Sequence, residues 1–298
     1  MERVSAPTPS AEELAHLFDT VVGVVTLRAS DTGAVSDFYE RAIGLEPRRD
    51  GTGIVELADR EGRTLIRLDS SAAAGSEPFM EPHTGLFHNA FRYPDRAALG
   101  AAVKRAVELA PVFEGASDHG VSDAVYFRDP EGNGVELYRD RPYDEWPVAG
   151  DGGVGMYTRP LDLAALLAEA DDDGLPARCD IGHIHLQTAD VDRAASFWRD
   201  ALGLDERQRF GPQAVFIAEG LYHHHIGANT WHSAGADPAP PDRPGLDSFE
   251  LRLRSAERVD AAAARLEEAG TTVVAEGDHV SFEDPDRNRV LIRAREPR

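Results

Sequence analysis

Apolar and polar positions along this chain switch between two periods, and the switch recurs four times. From Val21, VVGVVTLRASDTGAVSDFYERAIGLEPR opens with an apolar run of strand length. An Asp and a helical pattern follow, with Phe38 and Tyr39 on the buried face and a Gly as terminator. From Asp180, DIGHIHLQTADVDRAASFWRDALGLDER repeats this with Phe197 and Trp198. Residues 18 to 70 and 180 to 231 therefore read as one kind of module. A second kind runs from His83 to Asp140 and from Pro244 to Arg293, where YFRDPEGNGVELYRDRP matches SFEDPDRNRVLIRAREP. An internal repeat at this spacing governs the reading of the whole chain. Each module predicts a strand, a helix, then two or three strands, in the order A, B, linker, A, B.

The best-defined local stretch is HGVSDAVYFRDPEGNGVELY, His119 to Tyr138. It predicts a strand from Ala124 to Phe127, a turn over Asp-Pro-Glu-Gly-Asn-Gly, and a second strand from Val135 to Tyr138. Alternation places Glu136 and Tyr138 on one face and Val135 and Leu137 on the other. Between the repeats, residues 141 to 178 are Pro- and Gly-rich (RPYDEWPVAGDGGVG), with a short helix predicted over Leu161 to Ala170 and an Asp171-Asp172-Asp173 run. The expected organisation is a tail (1–17), a first domain of modules one and two (18–140), a linker (141–178), and a second domain of modules three and four (179–298).

Composition narrows the chemistry. The 298 residues carry a formal charge of −22, so nucleic acid and anionic membrane are excluded as partners. Lys104 is the only lysine and carboxylates are dispersed, a pattern similar to the proteins of salt-loving, GC-rich organisms. No apolar run is long enough to span a bilayer, and MERVSAPTPSAEELAHLF lacks a signal-peptide core, so a cytoplasmic protein is expected. Cys179 is the only cysteine; any metal must be held by histidine and carboxylate. Candidates on strand-like segments are Glu136, His88, His183, His185 and the triple His223, His224, His225.

Four such modules in two pairs resemble the vicinal oxygen chelate superfamily, which includes glyoxalase I, bleomycin-resistance proteins and extradiol dioxygenases. The resemblance implies an α+β fold of four βαβββ modules in two pairs, forming half-open β-barrels, one cupping a divalent metal. With the modules aligned on the residue that opens each helix, the first-strand ligand position holds His88 in module two and His183 in module three, but Val24 and Ser248 in modules one and four. The last-strand position holds Glu136 in module two and Leu291 in module four. The implied metal ligands are His88, His183 and Glu136, which requires modules two and three to face each other and modules one and four to pair without metal. Spacing alone does not choose between His183 and His185; the resemblance favours His183.

His119, Val125, Tyr126, Asp129, Pro130, Gly132 and Glu136 also resemble the signature of extradiol dioxygenases of the catechol 2,3-cleaving type, with Ser117 a departure from it. This implies Fe(II), with Mn(II) suited to the same donors, a small aromatic diol and dioxygen as partners, and a 2-hydroxymuconic semialdehyde type product. His119 and Tyr126 would hydrogen-bond the substrate. A histidine of YHHHIGANTW would act as acid and base, His225 first and His224 next. The other reading of the triple is a surface metal patch. Rival functions are a glyoxalase-like isomerase or lyase, hydroquinone cleavage, and a metal-free binding protein. Edge-to-edge homo-oligomers suit such a fold.

Overall fold

The structure, a computed structural model, describes residues 20–150, 153–171 and 178–295. The tail and most of the Asp171–Asp173 run lie outside the described residues. Module one comprises β1 (Val21–Arg28), α1 (Thr32–Phe38, continued by a π-helical turn, Tyr39–Ile43), β2 (Glu46–Arg49), β3 (Ile54–Ala58) and β4 (Thr64–Asp69). Module two comprises β5 (Gly85–Arg92), α2 (Arg96–Leu109), β6 (Val112–Asp118), β7 (Ser122–Arg128) and β8 (Gly134–Asp140). The linker contributes β9 (Arg159–Pro160) and α3 (Leu163–Ala168), the latter shorter than its pattern suggested. Module three comprises β10 (Asp180–Gln187), α4 (Val191–Leu202), β11 (Asp205–Phe210), β12 (Ala214–Ala218) and β13 (Ile226–Asn229). Module four comprises β14 (Gly245–Leu253), α5 (Ala256–Glu268), β15 (Val274–Glu276), β16 (His279–Glu283) and β17 (Arg289–Ala294).

Local chemistry accounts for these elements. Asp31 and Asp190 cap α1 and α4, each accepting the amide N–H three residues on at 2.9 Å. Gly44 and Gly203 end these helical segments in the left-handed region, φ 94° and 71°. Phe38, Tyr39 and Trp198 are buried as predicted, whereas Phe197 is only half-buried against the core.

The modules pair crosswise. Sheet order β15-β16-β17-β14-β1-β4-β3-β2 joins modules one and four, and β11-β12-β13-β10-β5-β8-β7-β6-β9 joins two and three. First strands meet antiparallel in each, β1 with β14 and β10 with β5, so each sheet takes four strands from each half of the chain, with linker strand β9 added to the second. One face of both sheets packs with the helices into a single large core containing Val135, Leu137, Ile184 and Trp198. That leaves the other face of the nine-stranded sheet for Glu136, His88 and His183, as alternation requires.

The Asp-Pro turns lock the modules together. Asp129 accepts the amides of Glu131 and Asn133 and the Asn133 side chain, each at 2.9 Å. Glu131 then reaches the start of α1, taking Ser30 N–H at 2.8 Å and Asp31 N–H at 2.6 Å. Module four repeats this: Asp284 organises the turn and Asp286 accepts from Thr188 and Ala189 at the start of α4. Burial raises Asp129 to about 6 and Asp284 to about 7, despite the hydrogen bonds that pull them down.

Among the described residues no helix is long and apolar enough to cross a membrane.

Candidate metal centre

Strand register brings the site together. Across four strands, Tyr126 on β7 pairs with Glu136 on β8, Glu136 with Ala90 on β5, and Ala90 with His183 on β10. His88 lies two residues from Ala90, hence on the same face, opposite His185. The methyl of Ala90 leaves room between Glu136 and His183. One ligand atom each from His88, Glu136 and His183 lies within 4.8 Å of the others. His88 Nε2 is 2.8 Å and His183 Nε2 3.2 Å from the same Glu136 oxygen, Oε2. The His88 nitrogen, though close, lacks the alignment of a hydrogen bond and has no other partner among the described residues.

All three are at least 95 % buried. Burial opposes the charge on Glu136, but the two imidazoles outweigh it and hold the carboxyl well below its usual range. Burial lowers His183 to about 4 in spite of Glu136. An ionised carboxylate beside a neutral imidazole is the protonation state a divalent cation needs. Nitrogen and oxygen donors converging on one point fit Fe(II) or Mn(II). His183 Nδ1 is buried without a partner among the described residues, so its ring is oriented by packing: His224 at 4.1 Å and Tyr138 at 4.9 Å between centroids.

The choice between His183 and His185 follows from partners. Trp231 N–H donates to Asn229 Oδ1 at 3.1 Å, turning the Asn229 amide nitrogen to His185 Nε2 at 3.0 Å. His185 thus spends on Asn229 the nitrogen that His183 aims at Glu136. Its ring has space because its neighbour across the strand pair is Gly227, where a Cβ would come within 2.9 Å of the imidazole.

On the Glu136 side, His119 Nδ1 lies 2.9 Å from the Tyr157 carbonyl, which only accepts, so this nitrogen carries the proton. His119 Nε2 therefore accepts from the Tyr126 hydroxyl at 2.7 Å. Burial and then Glu136 raise Tyr126 well above its ordinary value, keeping it a phenol.

The triple histidine is buried throughout, so it forms no surface patch. His225 rests against Tyr222, and its Nδ1 accepts the Glu219 amide at 3.3 Å. His224 stacks on His183. His223 Nδ1 lies 2.7 Å from His224 Nδ1, and its Nε2 donates to Asp140 Oδ1 at 2.8 Å. Asp140 also accepts from Arg92 at 3.1 Å and Tyr222 at 3.0 Å. Burial raises its pKa, His223 and Arg92 more than offset this, and it sits at about 2. Sequence reasoning missed Asp140 and Asn229; the first lies four residues past Glu136 on the same face of β8, a signal open to period-2 counting.

The other sheet shows the same frame without the donors. Val24, Ser248 and Leu291 stand at the ligand positions, and at the place of Ala90 is Glu250, 3 % exposed. Its carboxylate pairs with Arg252 and, at 2.9 Å, with Arg293. A fixed ion cluster occupies the space that Ala90 leaves open.

Fold and site define a paired-module barrel protein with one His-Glu-His centre among the described residues, and the chain belongs to the Glyoxalase/Bleomycin resistance protein/Dioxygenase superfamily, matching it over residues 18–137 and 180–292. It is 36 % identical over 271 residues to the catechol-2,3-dioxygenase of Bacillus subtilis (strain 168), covering 90 % of this chain and 94 % of that one. Solved structures that share the fold include the following two. A candidate dioxygenase of Bacillus subtilis aligns with TM-score 0.62 at 15 % identity, over 93 % of this chain and 86 % of that one. Glyoxalase I of Zea mays aligns with TM-score 0.57 at 12 % identity, over 92 % of each.

Proposed function

We propose that this protein is an extradiol dioxygenase that opens catechol or a substituted catechol beside its two hydroxyls, with His88, Glu136 and His183 holding a divalent iron. The observation that carries the reading is the convergence of these three donors on a face that also presents Tyr126 and His224. The 36 % identity to an enzyme named catechol-2,3-dioxygenase supports it. A bound Fe(II) supplies a common meeting point for the diol and dioxygen and a path for electrons between them.

The chain's own residues manage position and protons. His224 is the base: with His223 donating to Asp140, His223 Nδ1 accepts from His224 Nδ1–H, which leaves His224 Nε2 to take a substrate proton. Burial lowers the His224 pKa well below its ordinary value, so it waits neutral. We assign this role to His224 and not His225, whose Nδ1 takes the Glu219 amide. Tyr126, its proton directed to His119, offers oxygen lone pairs to a substrate hydroxyl. Both oxygen atoms enter the product as one ring C–C bond breaks, so catechol plus dioxygen balances the semialdehyde with no external reductant.

The test is anaerobic loading with Fe(II), then catechol and air, following oxygen uptake and a yellow product. Both should vanish in Glu136→Ala and His183→Ala. Stoichiometric metal binding with no uptake across a panel of catechols would refute the reading and favour an isomerase.

A further inference from the structure

The linker does more than connect. After β9 pairs with β6 at Ser117 and Asp118, the nine-stranded sheet has β9 at one end and β11 at the other. Residues 156–160 run from one to the other. Tyr157 is bonded at both backbone groups to His119, its N–H to the His119 carbonyl at 3.2 Å and its carbonyl to the ring at 2.9 Å. Met156, beside it, is held at both backbone groups by one side chain on β11: Gln208 Oε1 accepts its N–H at 2.6 Å and Gln208 Nε2 donates to its carbonyl at 2.8 Å. The two ends of the sheet are thus joined through Gln208.

This segment carries its own apolar cluster, separate from the main core: Met156 and Val154 with Val121, Ala214 and Phe216, backed by Phe210 and Trp146. Phe216 ties the cluster to the metal centre, its ring 4.9 Å from His224 and 5.8 Å from His185. Those rings in turn lie against His183 and His88. Trp146 lies 5.3 Å from His223.

We propose that residues 153–160, fastened by Gln208, close the metal-bearing sheet into a barrel and form the apolar wall that receives the ring substituent, so that the preferred substrates are catechols bearing an alkyl or other apolar group and not a carboxylate. This rests on the dioxygenase reading for the diol but not for the wall. The cluster contains no cation; Arg139 and Arg141 pair with Asp123, Arg92 pairs with Asp140 and Asp180, and the exposed Arg159 of the segment itself lies over the Tyr157 ring at 4.2 Å. A carboxylate placed there would lose its water without a partner.

The test uses full-length protein loaded with redox-inert Zn(II) and calorimetric titration with catechol, 4-propylcatechol and 3,4-dihydroxybenzoate. Three buried carbons should tighten 4-propylcatechol over catechol by roughly tenfold or more, and the dihydroxybenzoate should bind at least tenfold more weakly than 4-propylcatechol. Met156→Asp should erase the propyl preference. Gln208→Ala, which leaves every core residue in place, should speed amide hydrogen exchange at Met156 and Tyr157 by about tenfold or more and reduce the preference. Equal binding of the three ligands, or a preference untouched by both variants, overturns the proposal. Oxygen uptake on catechol by the iron-loaded protein with no propyl preference sinks this inference alone; propyl-selective binding without uptake sinks the dioxygenase reading alone.

Discussion

Metal binding should raise the melting temperature, and Glu136→Ala should remove that rise. A ligand at about one hundred times its Kd stabilises the folded chain by roughly 2.7 kcal/mol. Unfolding entropy of about 2.1 cal/mol/K per residue over 298 residues gives roughly 0.6 kcal/mol/K, so the expected rise is about 4 °C. Glu136 is the anionic member of the set and the oxygen on which both Nε2 atoms converge. Losing a residue that merely supports a ligand costs about 10–100-fold in affinity, and losing the carboxylate itself costs at least the upper figure. At the same metal concentration the gain then falls to about 0.4 kcal/mol, under 1 °C. The assay is differential scanning fluorimetry at matched Mn(II) or anaerobic Fe(II), reading the shift and not the absolute midpoint, because truncating the Glu136 side chain also leaves a cavity. His225→Ala is the control, since its ring rests on Tyr222 and its Nδ1 on the Glu219 amide; its shift should persist. A shift of about 4 °C retained in Glu136→Ala would refute the assignment.

Ala90→Arg should abolish the same metal shift while the fold persists, because its guanidinium would pair with Glu136 as Arg252 and Arg293 pair with Glu250 in the other sheet; circular dichroism and the fluorimetry together check it. Gly227→Ala should cost about 1–3 kcal/mol by urea titration, since a Cβ there meets the His185 ring and overpacks the site. For the proposed ring cleavage, Asp140→Asn, by loosening the His223 to His224 chain, should lower kcat about tenfold or more with little change in metal affinity. For Asp129 and Asp284 the folded pKa is raised, so their contribution to stability is fully present below about pH 4 and lost as pH rises through about 6 and about 7. Asp140, lowered to about 2, acts oppositely, its contribution lost as pH falls through that value. Asp284→Asn should flatten the decline between about pH 4 and about 7 in chemical denaturation.

Repeats, alternation and helix caps were legible because they are local: the period-2 pattern around Val135 to Tyr138, Asp31 and Asp190 at helix starts, and Gly44 and Gly203 at helix ends each act within a turn or a strand. Crosswise pairing was legible for a different reason, that donors at equivalent positions occur only in modules two and three. What sequence left open were choices among neighbours of like chemistry. His183 and His185 share a face, and only Asn229, more than forty residues away, takes one of them out of contention. His223, His224 and His225 are consecutive, and their roles separate only where Asp140, His183 and Glu219 meet them. The linker read as punctuation, yet Gln208 makes part of it a wall. Side-chain periodicity thus determined the modules and the face each residue occupies, because it depends on backbone geometry within a few residues. Which nitrogen remains available to a metal, and which segment closes the barrel, were decided by hydrogen-bond partners that only the packed sheet brings within 3 Å.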